Sequence, residues 1–313
     1  MKIRRLVCSA ASVAALTLGA AAYGAIELDS STFGGLSARN IGPAVMSGRI
    51  SAVDGVVRED GPITLYVGTA SGGVWKSDDG GIVYWPIFDE HQQSIGAVRI
   101  DPSNPETVWV GTGESWVRNT VSPGDGVYRS TDGGENWQHM GLENSDHIAE
   151  LLVHPDDSNV VYVCTLGHLW APGGERGVFR STDGGASWEN VLHIDDATSC
   201  SDLAMTPDGS TLYAGMWAVR RYPDFFESGG ETSGLYRSTD GGDTWQELTA
   251  GLPDSDKGRI AVTVAASEPQ RVYAIVESEN TALYRSDDGG DSWVEKDDSG
   301  NIQMRPFYFG ELN

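Results

Sequence analysis

The chain has 313 residues, with 21 Lys and Arg against 45 Asp and Glu, and a formal net charge of −24. Nucleic acids and anionic membrane surfaces are bound through clustered basic residues, so this charge argues against both as partners. Hydrophobic residues make up 39% of the chain, enough for a buried core, and 40 glycines favour a turn-rich protein over a helical bundle.

The first 25 residues have the pattern of an export signal. Three basic residues lie within the first five positions, and an apolar run from Leu6 to Ala22 follows. This run is short for a membrane-spanning helix, which needs about 20 apolar residues. We therefore predict a signal peptide over 1–25 and an exported, soluble mature chain over 26–313, periplasmic or extracellular. The alternative is an uncleaved N-terminal anchor.

Two cysteines, Cys164 and Cys200, follow the predicted signal. They are too few for a disulfide scaffold, and neither stands in a Cys-x-x-Cys or Cys/His spacing. The six histidines are scattered without ligand spacing, so we predict no metal site and no cofactor. Export to an oxidising compartment permits a Cys164–Cys200 bridge, whereas two separate buried thiols are the alternative, and the sequence leaves both open.

A Ser-x-Asp-x-Gly-x-x-Trp box recurs five times at intervals of about 50 residues, with an irregular first copy in which Tyr84 takes the Trp position. The Asp can accept hydrogen bonds from its own turn, and the paired glycines supply positive φ. The Trp can bury its ring as the next strand begins. We interpret the box as a structural β-hairpin turn rather than a calcium loop, whose acidic spacing differs. The residues given this role are Asp79, Asp132, Asp183, Asp240, Asp288, Trp137, Trp188, Trp245 and Trp293.

Each box follows three strand-like segments, the last of which carries an aromatic and a basic residue. With the strand after the box, this makes a four-stranded antiparallel unit of about 50 residues, the size of one β-propeller blade. The sequence therefore predicts an all-β protein, a β-propeller with five visible Asp-box blades that is incomplete at its C-terminus. The blades are expected at 48–90, 94–142, 147–193, 201–250 and 258–297, and 302–313 is expected to begin a further blade.

The boxes resemble the Asp-box, or bacterial neuraminidase (BNR), repeat over nearly the whole mature chain. Together with the segments Arg39–Pro43, Tyr66–Lys76 and Gly124–Tyr128, they are similar to exported bacterial proteins known as BNR repeat glycosyl hydrolases or sortilin N-terminal-like proteins. The resemblance implies propellers of six to ten blades, often two in one chain. Further blades or a second propeller in a longer chain are therefore expected, whereas the resemblance alone implies no activity.

Candidate binding residues lie in the loops between the second and third strands, over Glu114–Asp125, Gly167–Arg176 and Trp217–Gly234. We call this side the loop-bearing face; the channel of a propeller opens there. Aromatic rings beside arginines and carboxylates suit sugars, peptides and aromatic ligands, unless they only pack the loops onto the blades. The candidates are Glu114, Trp116, Arg118, His168, Trp170, Arg176, Trp217, Arg220, Arg221 and Tyr222.

We predict a ligand-binding module for a protein, peptide or glycan, with a glycoside hydrolase of the BNR-repeat type, xyloglucanase-like or sialidase-like, as the alternative. Similarity to xyloglucan hydrolases implies a catalytic Asp within a Thr-Asp-x-Gly-Gly segment, but the matching run Thr69–Gly73 has Ala70 in that place. The Arg-Ile-Pro segment typical of sialidases is also missing. Glycoside hydrolysis requires a carboxylate pair, which the sequence alone does not identify, so enzymatic activity is left open.

Overall fold

A computed structural model of the chain describes residues 49–58 and 61–312. The predicted signal peptide and the Arg39–Pro43 motif lie outside these residues. Within the described part of the chain, no helix is long and apolar enough to cross a membrane.

Five antiparallel sheets follow one another along the described residues, and each is a meander of consecutive strands. Blade one contains β1 (Ile50–Val57), β2 (Ile63–Thr69), β3 (Val74–Ser77) and β4 (Trp85–Pro86). Blade two contains β5 (Ile95–Ile100), β6 (Val108–Thr112), β7 (Val127–Ser130) and β8 (Gln138–His139). Blade three contains β9 (Ile148–His154), β10 (Asp157–Thr165), β11 (Gly177–Ser181) and β12 (Glu189–Leu192).

Blade four has an additional short strand. It contains β13 (Thr198–Met205), β14 (Leu212–Arg221), β15 (Phe226–Ser228), β16 (Gly234–Ser238) and β17 (Gln246–Leu248), with β15 paired to the end of β14 outside the meander. Blade five contains β18 (Ile260–Val264), β19 (Val272–Val276), β20 (Ala282–Ser286) and β21 (Val294–Asp297). Sheets of four meandering strands are the blades of a β-propeller, so the predicted fold class is confirmed.

The first strand of each blade packs against the first strand of the next, and side chains tie these inner strands together. Asp54 of β1 accepts a hydrogen bond from the backbone N–H of Ile100 at 2.8 Å, and Asp202 of β13 accepts one from Val262 at 2.8 Å. The apolar core lies between neighbouring sheets; in one cluster, for example, Trp109 of blade two packs with Leu151 of blade three.

The Asp boxes form tight turns between the third and fourth strands. In blade two, Ser130 Oγ donates to Asp132 Oδ1 at 2.7 Å and accepts from the Gly134 N–H at 2.8 Å. The same carboxylate oxygen accepts from the Asn136 N–H at 2.9 Å. Gly134 has a φ of 94°, which glycine adopts without the usual steric cost. Equivalent serine and backbone bonds hold Asp79, Asp183, Asp240 and Asp288.

Replacing Asp132 by Ala should lower the free energy of unfolding by about 1–2 kcal/mol at pH 7, since turn donors lose their acceptor. The bonds from Asn136 and Ser130 hold the pKa of Asp132 at about 2, below the unfolded value of about 4. A lowered folded pKa stabilises the protein above pH 4, and this contribution is lost as the pH falls towards 2. Urea unfolding at several pH values should therefore show the difference shrinking below pH 4, whereas Glu135→Ala, at an exposed neighbour, should change little.

The Asp boxes of blades two to five also join each of these blades to the preceding one. Tyr213 Oη and Arg237 Nη1 of blade four both donate to the Gly289 carbonyl in the box of blade five, at 2.8 and 2.6 Å. The carbonyl of the equivalent glycine accepts similar bonds in the boxes of blades two, three and four. Tyr66 donates to Gly133, Arg129 donates to Gly184, and Tyr162 and Arg180 both donate to Gly241. The arginines that precede the boxes of blades two, three and four, Arg129, Arg180 and Arg237, thus donate to the box of the next blade.

Residues after blade five differ from the sequence expectation. Where 302–313 was expected to begin an inner strand, the described residues contain two short helical turns, α1 (Gly300–Gln303) and α2 (Pro306–Phe309). Arg305 has a φ of 55°, and Pro306 begins α2, so the backbone here is not extended. Phe307 packs against Phe226, with ring centroids 5.2 Å apart, on the loop-bearing face.

A disulfide bond joins Cys164 of β10 to Cys200 of β13, so blades three and four are covalently linked. The two Cα atoms are 5.1 Å apart, and both side chains are fully buried. The short connection after β12 brings β13 directly against β10, which allows this approach. Of the two alternatives that the sequence left open, the structure has the bridge.

Candidate functional site

An axial cavity of about 460 Å³ lies where the inner strands of the blades converge. Arg99 and Glu150 form an ion pair in its wall, with Arg99 Nη2 2.8 Å from Glu150 Oε1. Its charged and aromatic lining residues are Arg99, Trp116, Glu150, Asp202, Arg259 and Glu311. The cavity is therefore lined by charged side chains near the propeller axis and by Trp116, which belongs to the loop-bearing face.

Asp202 is the most strongly perturbed acid of the cavity wall. Burial, and secondly the nearby Glu150, raise the pKa of Asp202 to about 8, although the N–H groups of Val262 and Leu203 donate to its carboxylate. Its carboxyl group is therefore mostly protonated at pH 7 and can act as a hydrogen-bond donor towards the cavity.

Two candidate residues, Trp116 and Arg118, lie beside the segment after blade five, and Trp116 also lines the axial cavity. The Trp116 indole N–H donates to Glu311 Oε1, and Arg259 Nη2 lies 3.4 Å from the same oxygen. The Arg118 guanidinium lies 4.1 Å from the centre of the Tyr308 ring, a cation–π distance. Burial raises the pKa of Glu311.

Arg118 also meets Arg221, another candidate, in a second cavity of about 430 Å³. Arg221 donates to Asn119 Oδ1 and lies 5.2 Å from the centre of the Phe226 ring. The structure thus brings two candidate arginines from different blades together on the loop-bearing face.

The remaining candidates, which are half-buried or exposed, belong to the loop of blade three and to the end of β14 and the turn after it in blade four. The Arg220 guanidinium lies 4.5 Å from the centre of the Tyr222 ring, and Tyr222 stacks on Phe225 with ring centroids 4.1 Å apart. Arg220 and Tyr222 border a groove of about 230 Å³. Trp170 is 48% exposed, and His168 Nδ1 is 2.8 Å from Asp146 Oδ2.

Three candidates are buried and serve the fold. Arg176 donates to Ser199 Oγ at 2.6 Å and to four backbone carbonyls, and Trp217 is fully buried in β14. Glu114 has a buried carboxylate held by the Arg49 guanidinium, with the Arg49 Nε 2.9 Å away. These side chains do not offer their polar groups to a ligand on the loop-bearing face.

Sequence reasoning did not select the charged residues of the axial cavity as binding candidates. Arg99, Glu150 and Asp202 of this cavity, together with Asp54, lie within four successive inner strands. Charged residues within otherwise apolar strands are a signal that could have indicated a polar axis. In the described ranges, no group of three or more His, Cys, Asp or Glu is arranged to hold a metal ion.

Comparison with known proteins agrees with this architecture. The profile of the BNR/Asp-box repeat matches residues 128–139 and 236–247. Among solved structures, an ancestral GH74 enzyme has a TM-score of 0.60 at 21% identity, covering 81% of this chain and 34% of that chain. The five blades and the matched segments show that the chain contains BNR/Asp-box repeats within a β-propeller fold.

Curated relatives of this propeller include enzymes and an assembly factor. The xyloglucanase of a Paenibacillus species is 25% identical over 213 residues, covering 58% of this chain and 19% of that protein. Xyloglucanase Xgh74A of Acetivibrio thermocellus is 27% identical over 217 residues, 59% of this chain and 23% of that protein. The photosystem II assembly lipoprotein Ycf48 of Trichormus variabilis is 26% identical over 141 residues, 39% of this chain and 41% of that protein. The chain thus spans about a fifth to two fifths of the length of these relatives.

Proposed function

We propose that the chain is a glycan-binding propeller module and that its loop-bearing face binds an extended polysaccharide. The observation that carries the proposal is the row formed by Arg220, Tyr222 and Phe225 beside the groove of about 230 Å³. Phe225 is 54% exposed, so the core does not account for the position of its ring. Sugar rings pack their apolar faces on such aromatic rings, while neighbouring charged groups bond the hydroxyls.

Two further features support a glycan as the ligand. Trp170 adds an exposed indole ring to the same face, and the Arg118–Arg221 cavity supplies donors for hydroxyl oxygens. Several curated relatives are named for xyloglucan. Export, predicted from residues 1–25, would place the module where extracellular polysaccharides occur.

Titration of the full chain with soluble xyloglucan should detect binding, and Phe225→Ala or Trp170→Ala, each of which removes an exposed ring, should weaken it about five- to tenfold. This is the loss expected when one ring, worth about 1 kcal/mol of stacking, is removed. Tyr84→Ala, which removes a partly exposed ring from the box of blade one, is the matched control and should leave the affinity unchanged. Binding of peptides but of no polysaccharide would contradict the proposal, as would an equal loss with the control.

Hydrolysis of the bound glycan is the second candidate function, and one observation favours it. Asp202, mostly protonated at pH 7, lies close enough to Glu150 for that carboxylate to raise its pKa, and both line the axial cavity. A pair of carboxyl groups, one of which can donate a proton, is what acid–base cleavage of a glycoside needs. Release of reducing ends from xyloglucan, abolished by Asp202→Asn or Glu150→Gln in protein that still binds, would support hydrolysis; binding without turnover would leave the module function alone.

A further inference from the structure

The arginines of the loop-bearing face lack the acidic partners that most other arginines have. Elsewhere in the described residues, guanidinium groups pair with Asp or Glu, except that Arg129 and Arg176 donate to backbone carbonyls. Among those residues, the arginines with neither kind of partner are Arg118, Arg220, Arg221 and Arg305. Acids outnumber bases by 45 to 21 in this chain, so a face with unpaired arginines runs against its composition.

Three of these arginines, Arg118, Arg221 and Arg305, line the cavity of about 430 Å³ between the loop of blade two and the end of β14. The rest of its described lining is apolar, aromatic or uncharged, and no carboxylate belongs to it. The buried Nε–H group of Arg221 has no hydrogen-bond partner in the described part of the chain. Buried donors normally have an acceptor, so this cavity offers positive charge and a donor to an anion that the described side chains do not provide.

Contacts with neutral groups hold these guanidinium groups in place. Arg118 lies over the Tyr308 ring at 4.1 Å, and Arg221 lies over the Phe226 ring at 5.2 Å. The backbone N–H of Arg221 donates to the Leu169 carbonyl at 2.8 Å, which fixes the end of β14 to the loop of blade three. Aromatic faces position a guanidinium group without neutralising its charge. Less side-chain entropy is then lost when a ligand binds.

The cavity lies next to the aromatic row of Arg220, Tyr222 and Phe225. Arg220 and Arg221 are consecutive residues of β14, and successive side chains of a strand point to opposite sides. Arg220 accordingly stacks on Tyr222 beside the groove of about 230 Å³, whereas Arg221 lines the cavity. Consecutive Cα atoms are about 3.8 Å apart. A sugar chain on the aromatic row can therefore place a substituent of a neighbouring sugar in the cavity.

We propose that the cavity binds one anionic substituent, a uronate carboxylate or a sulfate ester, on an otherwise neutral polysaccharide. This inference rests on the proposed glycan-binding function and specifies the class of glycan. Guanidinium groups bond pairs of anionic oxygens in a fork, which suits carboxylate and sulfate groups. The net charge of −24 repels a polyanion, so isolated anionic substituents suit this protein better than a polyuronate.

Titration of the full chain with glucuronoxylan and with its carboxyl-reduced derivative tests the proposal, because these polymers differ only in the charge of the substituent. The chain should bind glucuronoxylan about tenfold more tightly than the reduced polymer, the gain from one charge-assisted hydrogen bond. This preference should decline at high salt, which screens half-exposed charges. A sparsely sulfated xylan distinguishes the two sources of the anion, since the polymer preferred over reduced glucuronoxylan identifies the group that is bound.

Arg118→Gln and Arg221→Gln should each remove most of this preference and leave the affinity for the reduced polymer unchanged. Arg271→Gln is the matched control, because Arg271, in the turn before β19, already pairs with Glu268 at 2.9 Å and with Asp287 at 2.7 Å. This control should keep the full preference, and an equal loss there would overturn the proposal by showing a general effect of charge. Unfolding curves verify that all three variants are folded.

Methyl glucuronoside, compared with methyl glucoside, tests the cavity without the aromatic row. Binding of the glucuronoside that Arg118→Gln weakens would support the anion site even if no polysaccharide bound, in which case only the proposed polysaccharide function would be wrong. Equal affinity for the reduced, carboxylated and sulfated polymers would overturn the anion site and leave the glycan-binding function standing. Tighter binding of polygalacturonate than of glucuronoxylan at low salt would overturn the restriction to isolated substituents.

Discussion

Replacing Cys164 and Cys200 by alanine should lower the free energy of unfolding by about 4 kcal/mol at pH 7. The disulfide closes a loop with a sequence separation of 36 residues between β10 and β13. Without it, the unfolded chain regains the entropy of that loop, which the chain-entropy relation places near this value. Guanidinium unfolding of the parent and the double variant under non-reducing conditions measures the difference.

The bridge itself can be checked independently of stability. Thiol counting on the mature chain under denaturing, non-reducing conditions should find no free thiol in the monomer. Reductant should shift the unfolding midpoint of the parent chain and leave that of the Cys164→Ala/Cys200→Ala variant unchanged. Two free thiols in each mature chain would contradict the structure at this point.

The repeat allowed most of the fold to be predicted, because the box depends on local chemistry. In blade two, the turn is formed by Ser130, Asp132 and the two glycines that follow Asp132. Its hydrogen bonds join residues that are only a few positions apart in the sequence. A turn of this kind can therefore be recognised from the spacing of its residues in the sequence. The role of the basic residues before the boxes was not visible, since Arg129 donates to Gly184 in the next blade, 55 residues away.

The burial of several candidate residues could not be predicted from the sequence, because burial depends on contacts between distant segments. The sequence predicts that Trp217 begins a loop, but β14 continues through it to Arg221, and the residue is fully buried. Glu114 is neutralised by Arg49, 65 residues earlier, a partner that no local pattern indicates. The sequence predicts the start of a further blade over 302–313, whereas the backbone of the described residues turns at Arg305 and Pro306.

Arg176 is the candidate whose environment differs most from the expectation of a binding residue. It is fully buried, and its guanidinium bonds to Ser199 Oγ at 2.6 Å, to the Ala197 carbonyl at 3.0 Å and to three further carbonyls in the loop of blade three. Burial lowers the pKa of Arg176 to about 10, so it stays protonated at pH 7. The Arg176 side chain thus donates hydrogen bonds both to the loop of blade three and to the segment at the start of β13.

Replacing Arg176 by Met should lower the free energy of unfolding by about 3–5 kcal/mol, because several buried carbonyls lose their donor while the apolar stem is retained. Arg220→Met changes a partly exposed arginine whose guanidinium lies over the Tyr222 ring. This variant should lower the free energy of unfolding by under about 1 kcal/mol. Urea unfolding of the two variants compares them directly. If Arg176 instead contacted ligand, the variant would keep its stability and lose affinity for xyloglucan. A loss of stability confined to Arg176→Met, with affinity retained in the folded fraction, is the result that its buried position predicts.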